Sequence, residues 1–409
     1  MSTTLPSASG RAWADPSSSG IDELIRQSRS LGWRPALEAL RPTQPFFVKR
    51  MEQLSLANWH VLIGNPVRRR SLDIGCGFGS LVLGLQDAYD ASFGVEFLPE
   101  RVAYASLRAE QDRRACRFVR GSGLTLPVRS GSFDLVTLNG VLEWAGLYAD
   151  GAPEANQRQM LGEAKRVLAP GGCVAVAIEN RYALESLVGL RDTHTGLLWV
   201  TAMPRALANV VSQVRKREPY RTYLYSLGGY RRLFRRAGFP AVRVLDLVSS
   251  YNDYDFVVDP GDAATYRFLL GRGLVRPFVP LAGRARRGLA RMAPALLGRL
   301  GYAYLVLAGD TVATLLDADS PLWPAVGGSP GLPGRHRFAI KGERPGELAI
   351  AAHDGNRLTG LVELSAARTG FATREPVFPS RLAAAFATGL APGAEGAHAG
   401  LAWRAWIRA

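Results

Sequence analysis

Ser71-Leu72-Asp73-Ile74-Gly75-Cys76-Gly77-Phe78-Gly79-Ser80 is the stretch on which the fold of this chain turns. A short apolar run ends on an acid and breaks into glycines at alternate positions, and Leu81 to Leu85 then read as the start of a helix. Strand, tight loop and helix in that order bind a nucleotide-like ligand at the end of a parallel strand. A side chain at any of the three glycines would hold such a ligand away from the backbone. Working outward, the pattern predicts strands at 71–74, 91–96, 116–120, 133–138 and 173–178. Helices are expected near 80–88, after Pro99, and over 154–168, where Ala169-Pro170-Gly171-Gly172 stops the last of them. Strands and helices alternating at this pitch imply an α/β fold with a doubly wound, mostly parallel sheet.

The flanks read differently. Residues 1–20 are rich in Ser, Ala and Pro and read as disordered. Residues 21–64 form a helical extension, with Ile21, Leu24, Ile25 and Leu31 near helical spacing and a second helix over 46–63. The main domain is placed at 65–310, with helical insertions at about 180–226 and 260–300. Within it, a helix over 227–237 ends at Gly238, and strands follow at 241–248 and 302–308. Residues 311–409 form a poorly defined appendage with a hairpin around 338–340 and 347–351, to which the sequence assigns no role.

The chain has 409 residues and a formal net charge of +15, yet only four of its 50 basic residues are Lys. That skew is what a GC-rich genome produces, so it is weak support for nucleic acid, although a basic surface attracts anions. Cys76, Cys116 and Cys173 are not at metal-ligand spacing and form no disulfide framework. No metal is expected. No signal peptide and no membrane span are visible, so a bacterial cytoplasmic protein is expected. Residues 260–300 carry many Arg, and read either as a solvated helical lid or, with Leu289, Leu296, Leu297 and Leu300, as a peripheral membrane contact.

Four elements line up in order. They are Asp73 to Gly79; Glu96 at the end of the second strand; Gly121-Ser122-Gly123 after the third; and Phe133-Asp134-Leu135-Val136 followed by Arg166 to Gly172. A carboxylate at Glu96 stands where the two ribose hydroxyls of a bound nucleoside would lie. The ordered set resembles the class I S-adenosylmethionine-dependent methyltransferases over about residues 65–250, with a Rossmann-like fold. The glycine spacing differs from the G-x-G-x-x-G of dinucleotide-binding dehydrogenases. The resemblance implies S-adenosylmethionine as cofactor. It implies that Gly75, Gly77 and Gly79 pass its methionine part, that Asp73 orients that loop and that Glu96 holds the ribose. Phe97 would lie against the adenine, Ser122 and Gly123 beside it, and Asn139 and Gly140 at the methionine end. Ser122 stands where many relatives carry Asp. The plain structural alternatives are that Asp73 caps the next turn, that Phe97 packs in the core, and that Glu143 is helix surface.

Asn139 to Trp144, Ile178 to Tyr182, Asp192-Thr193-His194-Thr195-Gly196 and Tyr223 to Tyr230 further resemble a methyltransferase subgroup of bacterial glycan and secondary-metabolite gene neighbourhoods. These segments follow the fourth and fifth strands, beyond whose carboxyl ends ligands bind. A hydroxyl nucleophile needs a base, and His194 is the first choice, followed by Glu143 and Glu179. A structural hydrogen bond is the alternative for His194. Asn180, Arg181, Tyr223 and Tyr225 are candidate contacts to a small-molecule or saccharide acceptor, a lipid-linked one if the membrane contact holds. Two rivals stay open: an RNA methyltransferase, which lacks a recognisable RNA-binding module, and a non-catalytic cofactor-binding protein of the same fold. The sequence leaves the acceptor atom and the oligomeric state open.

Overall fold

The computed structural model describes residues 17–147, 149–252, 254, 256–263, 266, 270, 280–292, 294–316, 325–327, 336–341, 347–354, 357–365 and 372–373. The chain opens on three helices: α1 (Ser18–Leu31), α2 (Trp33–Glu38) and α3 (Pro45–Glu52). The Ser17 hydroxyl caps α1 by accepting from the Gly20 amide. Residues 18–20 are therefore helical, whereas residues 1–16 lie outside the described residues. The single helix expected over 46–63 is two pieces, because Gln53 (φ −83°, ψ 70°) leaves the helical region and a 3-10 turn follows at Leu54–Leu62.

Alternation then begins with β1 (Arg70–Ile74), α4 (Ser80–Leu85), β2 (Ala91–Glu96), α5 (Pro99–Gln111) and β3 (Cys116–Arg120). It continues through β4 (Phe133–Asn139), α6 (Pro153–Val167) and β5 (Leu168–Glu179). The insertion after β5 holds α7 (Leu184–Leu187) and α8 (Arg205–Lys216), and α9 (Leu227–Arg236) leads into β6 (Ala241–Val248) and β7 (Phe256–Val258). α10 (Pro280–Met292), β8 (Ala303–Gly309) and α11 (Val312–Leu315) close this region.

The strand order is β7-β6-β8-β5-β4-β1-β2-β3. Strands β1 to β5 pair in parallel. β8 runs antiparallel between β5 and β6, so β6 points the same way as β5. The chain reverses its direction of travel across the sheet between β1 and β4, which puts the crevice for a ligand at the carboxyl ends of those strands. From β7 the backbone continues as an antiparallel ladder, β9 (Ala325–Gly327), β10 (His336–Lys341), β11 (Glu347–Asp354), β12 (Arg357–Ser365) and β13 (Ala372–Thr373). Phe338 pairs with Ala352 and Ile340 with Ile350, so the expected hairpin is present.

Both faces of the central strands β1, β4, β5 and β8 are buried, as a doubly wound sheet requires. Along β5, Val174, Val176 and Ile178 enter one core with Tyr230 and Phe234 of α9. The smaller Cys173, Ala175 and Ala177 enter the other, under Leu81 and Leu85 of α4. A third core joins the N-terminal helices to the glycine loop: Ile21, Leu24, Trp33, Phe47 and Met51 pack with Phe78 and Tyr104.

Arg108 of α5 pins that junction. Buried, it donates to the Phe78 carbonyl at 2.6 Å and the Met51 carbonyl at 2.5 Å, and lies 4.6 Å over the Trp33 ring. Burial lowers its pKa to about 10, against the raising effect of Tyr104 and Asp112. Arg108→Met would leave two buried carbonyls without these donors, and is expected to cost about 2–4 kcal/mol of stability. Urea denaturation reads this directly; an unmoved midpoint would contradict the pinning role.

Candidate active site

The glycine loop leaves β1 between the neighbouring strand ends. The Gly75 amide donates to the Val95 carbonyl at 2.7 Å, and Gly79 is the N-cap of α4. Gly77 has φ +53°, and a Cβ added there would meet no atom within 4 Å. Its α-carbon therefore borders open space, the clearance a ligand needs. Glu96 fixes the loop from the side. Its Oε2 accepts from the Gly77 amide at 2.9 Å, while Oε1 accepts from the amides of Phe97 at 2.9 Å and Leu98 at 3.0 Å. One carboxylate thus ties the glycine loop to the entry of α5.

Asp73 is buried and accepts from the Thr137 hydroxyl at 2.6 Å, which braces β1 against β4. Burial raises its pKa to about 7, against the lowering effect of that hydrogen bond. The Phe97 ring is 46% exposed, so core packing does not account for it. Ser122 accepts from the Leu124 amide at 3.2 Å and shapes its own turn, and Gly123 lies against Ile74 and Met160. Asn139 ends β4. Gly140 follows at φ +64°, and a Cβ there would come within 2.6 Å of the Tyr251 ring. Gly140→Ala is expected to destabilise the protein by about 1–3 kcal/mol through the clash and the left-handed backbone together. A thermal melt that matches the parent's would contradict that packing.

Beyond the ends of β4 and β5 stand the three side chains singled out for catalysis. The Glu143, Glu179 and His194 donor atoms all lie within 4.8 Å of one another. His194 sits in a turn closed by the Arg191–Leu198 bridge and is held on both nitrogens. Its Nδ1 is 3.1 Å from Asp192 Oδ1, and its Nε2 is 3.6 Å from Glu143 Oε1. The Trp144 ring meets it edge-on at 4.9 Å. Thr193 donates to Glu179 Oε1 at 3.3 Å. Glu143 is 0% exposed, so it is not helix surface. Among the described residues, neither of its carboxylate oxygens has a hydrogen-bond partner, nor does Glu179 Oε2.

Charge explains how the cluster survives burial. Burial alone would lower the imidazole pKa, but Glu179, Asp192 and Glu143 together raise it well above its ordinary value. Burial and the charge of Glu143 lift Glu179 to about 7, despite the opposing His194 charge. Asp192 is lowered: its bonds to His194 and Thr195, with the His194 charge, outweigh burial. Such a donor set can also hold a divalent cation. Here the imidazolium provides the positive charge that the carboxylates need.

These shifts have a sign. Native Glu179 and Asp73 keep protons, near pKa 7, that the unfolded chain releases near 4. The native state therefore binds more protons between those values, and stability falls as pH rises through the interval. Thermal melts are expected to show Tm falling from about pH 5 to about pH 8. A rising Tm would contradict the burial of these acids.

Residues 72–176, which span the glycine loop, Glu96 and most of β5, match the family described as "Methyltransferase domain". This segment is similar to methyltransferase domains. Over 111 residues the chain is 35% identical to a demethylmenaquinone methyltransferase of Thermus thermophilus, covering 26% of this chain and 46% of that protein. Over 112 residues it is 30% identical to an uncharacterized protein of Methanocaldococcus jannaschii, covering 27% and 45%. The chain thus spans about half the length of the curated relatives it matches. A crystal structure of an S-adenosylmethionine-dependent methyltransferase of Thermotoga maritima aligns with a TM-score of 0.37 at 15% identity, over 68% of this chain and 100% of that one.

Outside the matched segment, the residues expected to touch an acceptor make contacts within the protein. Asn180 donates to the carbonyls of Arg299 and Gly301 and accepts from the Tyr182 amide. Arg181 donates to the Thr201 and Met203 carbonyls. Tyr225 donates to Gln157 Oε1 at 2.9 Å, and Tyr223 lies under the Arg205 guanidinium at 4.1 Å. Through these bonds Asn180, Arg181 and Tyr225 lash the insertion to the sheet end. Two residues at the site were missed. Asp192 carried a signal, its place two residues before His194. Tyr251 carried none, since only the folded β6 brings it onto Gly140.

Proposed function

We propose that this chain is an S-adenosylmethionine-dependent methyltransferase acting on a hydroxyl of a small-molecule or saccharide acceptor. The observation that carries the reading is a juxtaposition at one end of the sheet. A glycine loop with an open flank, braced by Glu96, leaves β1, and a buried carboxylate–imidazole cluster stands beyond β4 and β5. S-adenosylmethionine supplies an electrophilic methyl group on a sulfonium. Its requirements are met by Gly77's clearance, the Glu96 carboxylate and the half-exposed Phe97 ring.

The rest of the work falls to this chain's own side chains. Glu143 has two buried carboxylate oxygens with no hydrogen-bond partner among the described residues, and an acceptor hydroxyl that reaches them can donate there. Asp192 fixes the orientation of the imidazole through Nδ1, and Glu179 and His194 form the proton-holding part of the cluster. Alignment of acceptor and methyl group would contribute much of the acceleration.

The test is transfer of label from methyl-labelled S-adenosylmethionine to a panel of saccharides and small alcohols, with amines and RNA alongside. Label on a hydroxyl, lost in Glu143→Gln, is the expected result. Label on RNA or amine alone would overturn the hydroxyl assignment.

A further inference from the structure

α8 is built inside out. Its buried residues are Ala208 and Ser212, one turn apart on the face that meets the protein. Three of its four branched aliphatic residues point the other way: Leu207 is 49% exposed, Val210 56% and Val214 74%, while Val211 is half-buried. Spacings of three and four place them in one stripe along the helix. An ordinary surface helix turns such a stripe inward. Trp199, just ahead of the helix, is 50% exposed as well. Arg215, Lys216 and Arg217 close the helix, all exposed, and the helix contains no Asp or Glu.

We propose that α8 lies on an anionic phospholipid surface, with Leu207, Val210 and Val214 in the acyl boundary and Arg215, Lys216 and Arg217 among the headgroups. The choice of occupant rests on charge. A stripe of aliphatics flanked by cations is the composition that binds anionic bilayers, and the whole chain carries a formal charge of +15. At 12 residues the helix is about 18 Å long, too short to cross a bilayer core of about 30 Å, so it lies in the surface plane. A second copy of this chain would bring the same cations and no carboxylate from α8 to meet them.

The sequence also suggests a contact at residues 260–300, where Leu296 is 40% exposed. Arg286 of α10 is buried on Glu185 at 2.7 Å, and Leu297 is in the core. Arg181, two residues beyond Glu179, donates to the Thr201 and Met203 carbonyls in the lead to α8. The lipid-facing helix is thereby tied to the strand end that carries the cluster.

The experiment is sedimentation of the full chain with vesicles of pure phosphatidylcholine and of phosphatidylcholine with phosphatidylglycerol, over a salt series. The expected result is salt-sensitive binding to the anionic vesicles and little to the neutral ones. Leu207→Ser/Val210→Ser/Val214→Ser and Arg215→Glu/Lys216→Glu should each weaken it about tenfold or more. All the altered side chains are exposed, and circular dichroism checks that the fold persists. No binding to anionic vesicles would overturn the proposal. So would binding that the α8 changes leave intact while Arg284→Glu/Arg287→Glu abolishes it, or a triple-serine variant whose only change is dissociation of a dimer.

Discussion

His194→Ala is expected to lower kcat about 10²- to 10⁴-fold while S-adenosylmethionine affinity changes little. The imidazole is the single cation among Glu143, Glu179 and Asp192 in the cluster. Its removal takes away a proton carrier and sets three buried carboxylates against one another. Asp192→Asn separates the two effects, because it keeps the ring but loses the carboxylate on Nδ1. It should lower the imidazole pKa and slow transfer without collapsing the cluster. The stability effect also has a definite sign. A histidine raised above its unfolded value contributes stability in full below about 6.5, and that contribution is lost as pH rises through the folded pKa. Ring-proton NMR against pH reads this among only five histidines. A His194 that titrates at its unperturbed value, or a His194→Ala enzyme of unchanged kcat, would remove it from the mechanism.

Glu96→Ala is expected to weaken S-adenosylmethionine binding about 100-fold or more. Three backbone amides lose their acceptor, at about 1.5–3 kcal/mol for each hydrogen bond to a charged group. The loop then loses its brace before any contact to ligand is counted. Glu96→Gln should fall between parent and alanine, since one amide oxygen can replace Oε1 but the NH2 faces the Gly77 N–H. Calorimetric affinities in the order Glu, Gln, Ala are the prediction. An alanine variant that binds as the parent does would mean that Glu96 neither braces the loop for the ligand nor touches it.

The fold was legible where one local pattern had one physical solution. β2 and β3 were placed residue for residue, because apolar runs there end abruptly on Glu96 and Arg120. Glu143, Glu179 and His194 could be grouped without a structure because each follows β4 or β5, and parallel strands deliver their carboxyl ends to one place. Direction was not legible: the apolar run of β8 suits either sense, and only its pairing with β5 and β6 reveals it as antiparallel. The break at Gln53 was hidden because apolar residues continue on both sides of it. Asn180 and Arg181 are candidate acceptor contacts because they are polar and sit at a strand end. Their partners are carbonyls as far away as Arg299 and Gly301, and such distant pairings leave no local trace. α8 shows the same limit from the other side. Its amphipathic pattern is plain in the sequence, but which face meets the protein is decided by packing.

The most direct test of the whole account is calorimetric titration of S-adenosylmethionine into the purified chain, with Glu96→Ala and Glu143→Gln in parallel. The account predicts saturable single-site binding that Glu96→Ala loses and Glu143→Gln keeps. A folded parent that takes up no S-adenosylmethionine, or one whose binding survives Glu96→Ala undiminished, would contradict it.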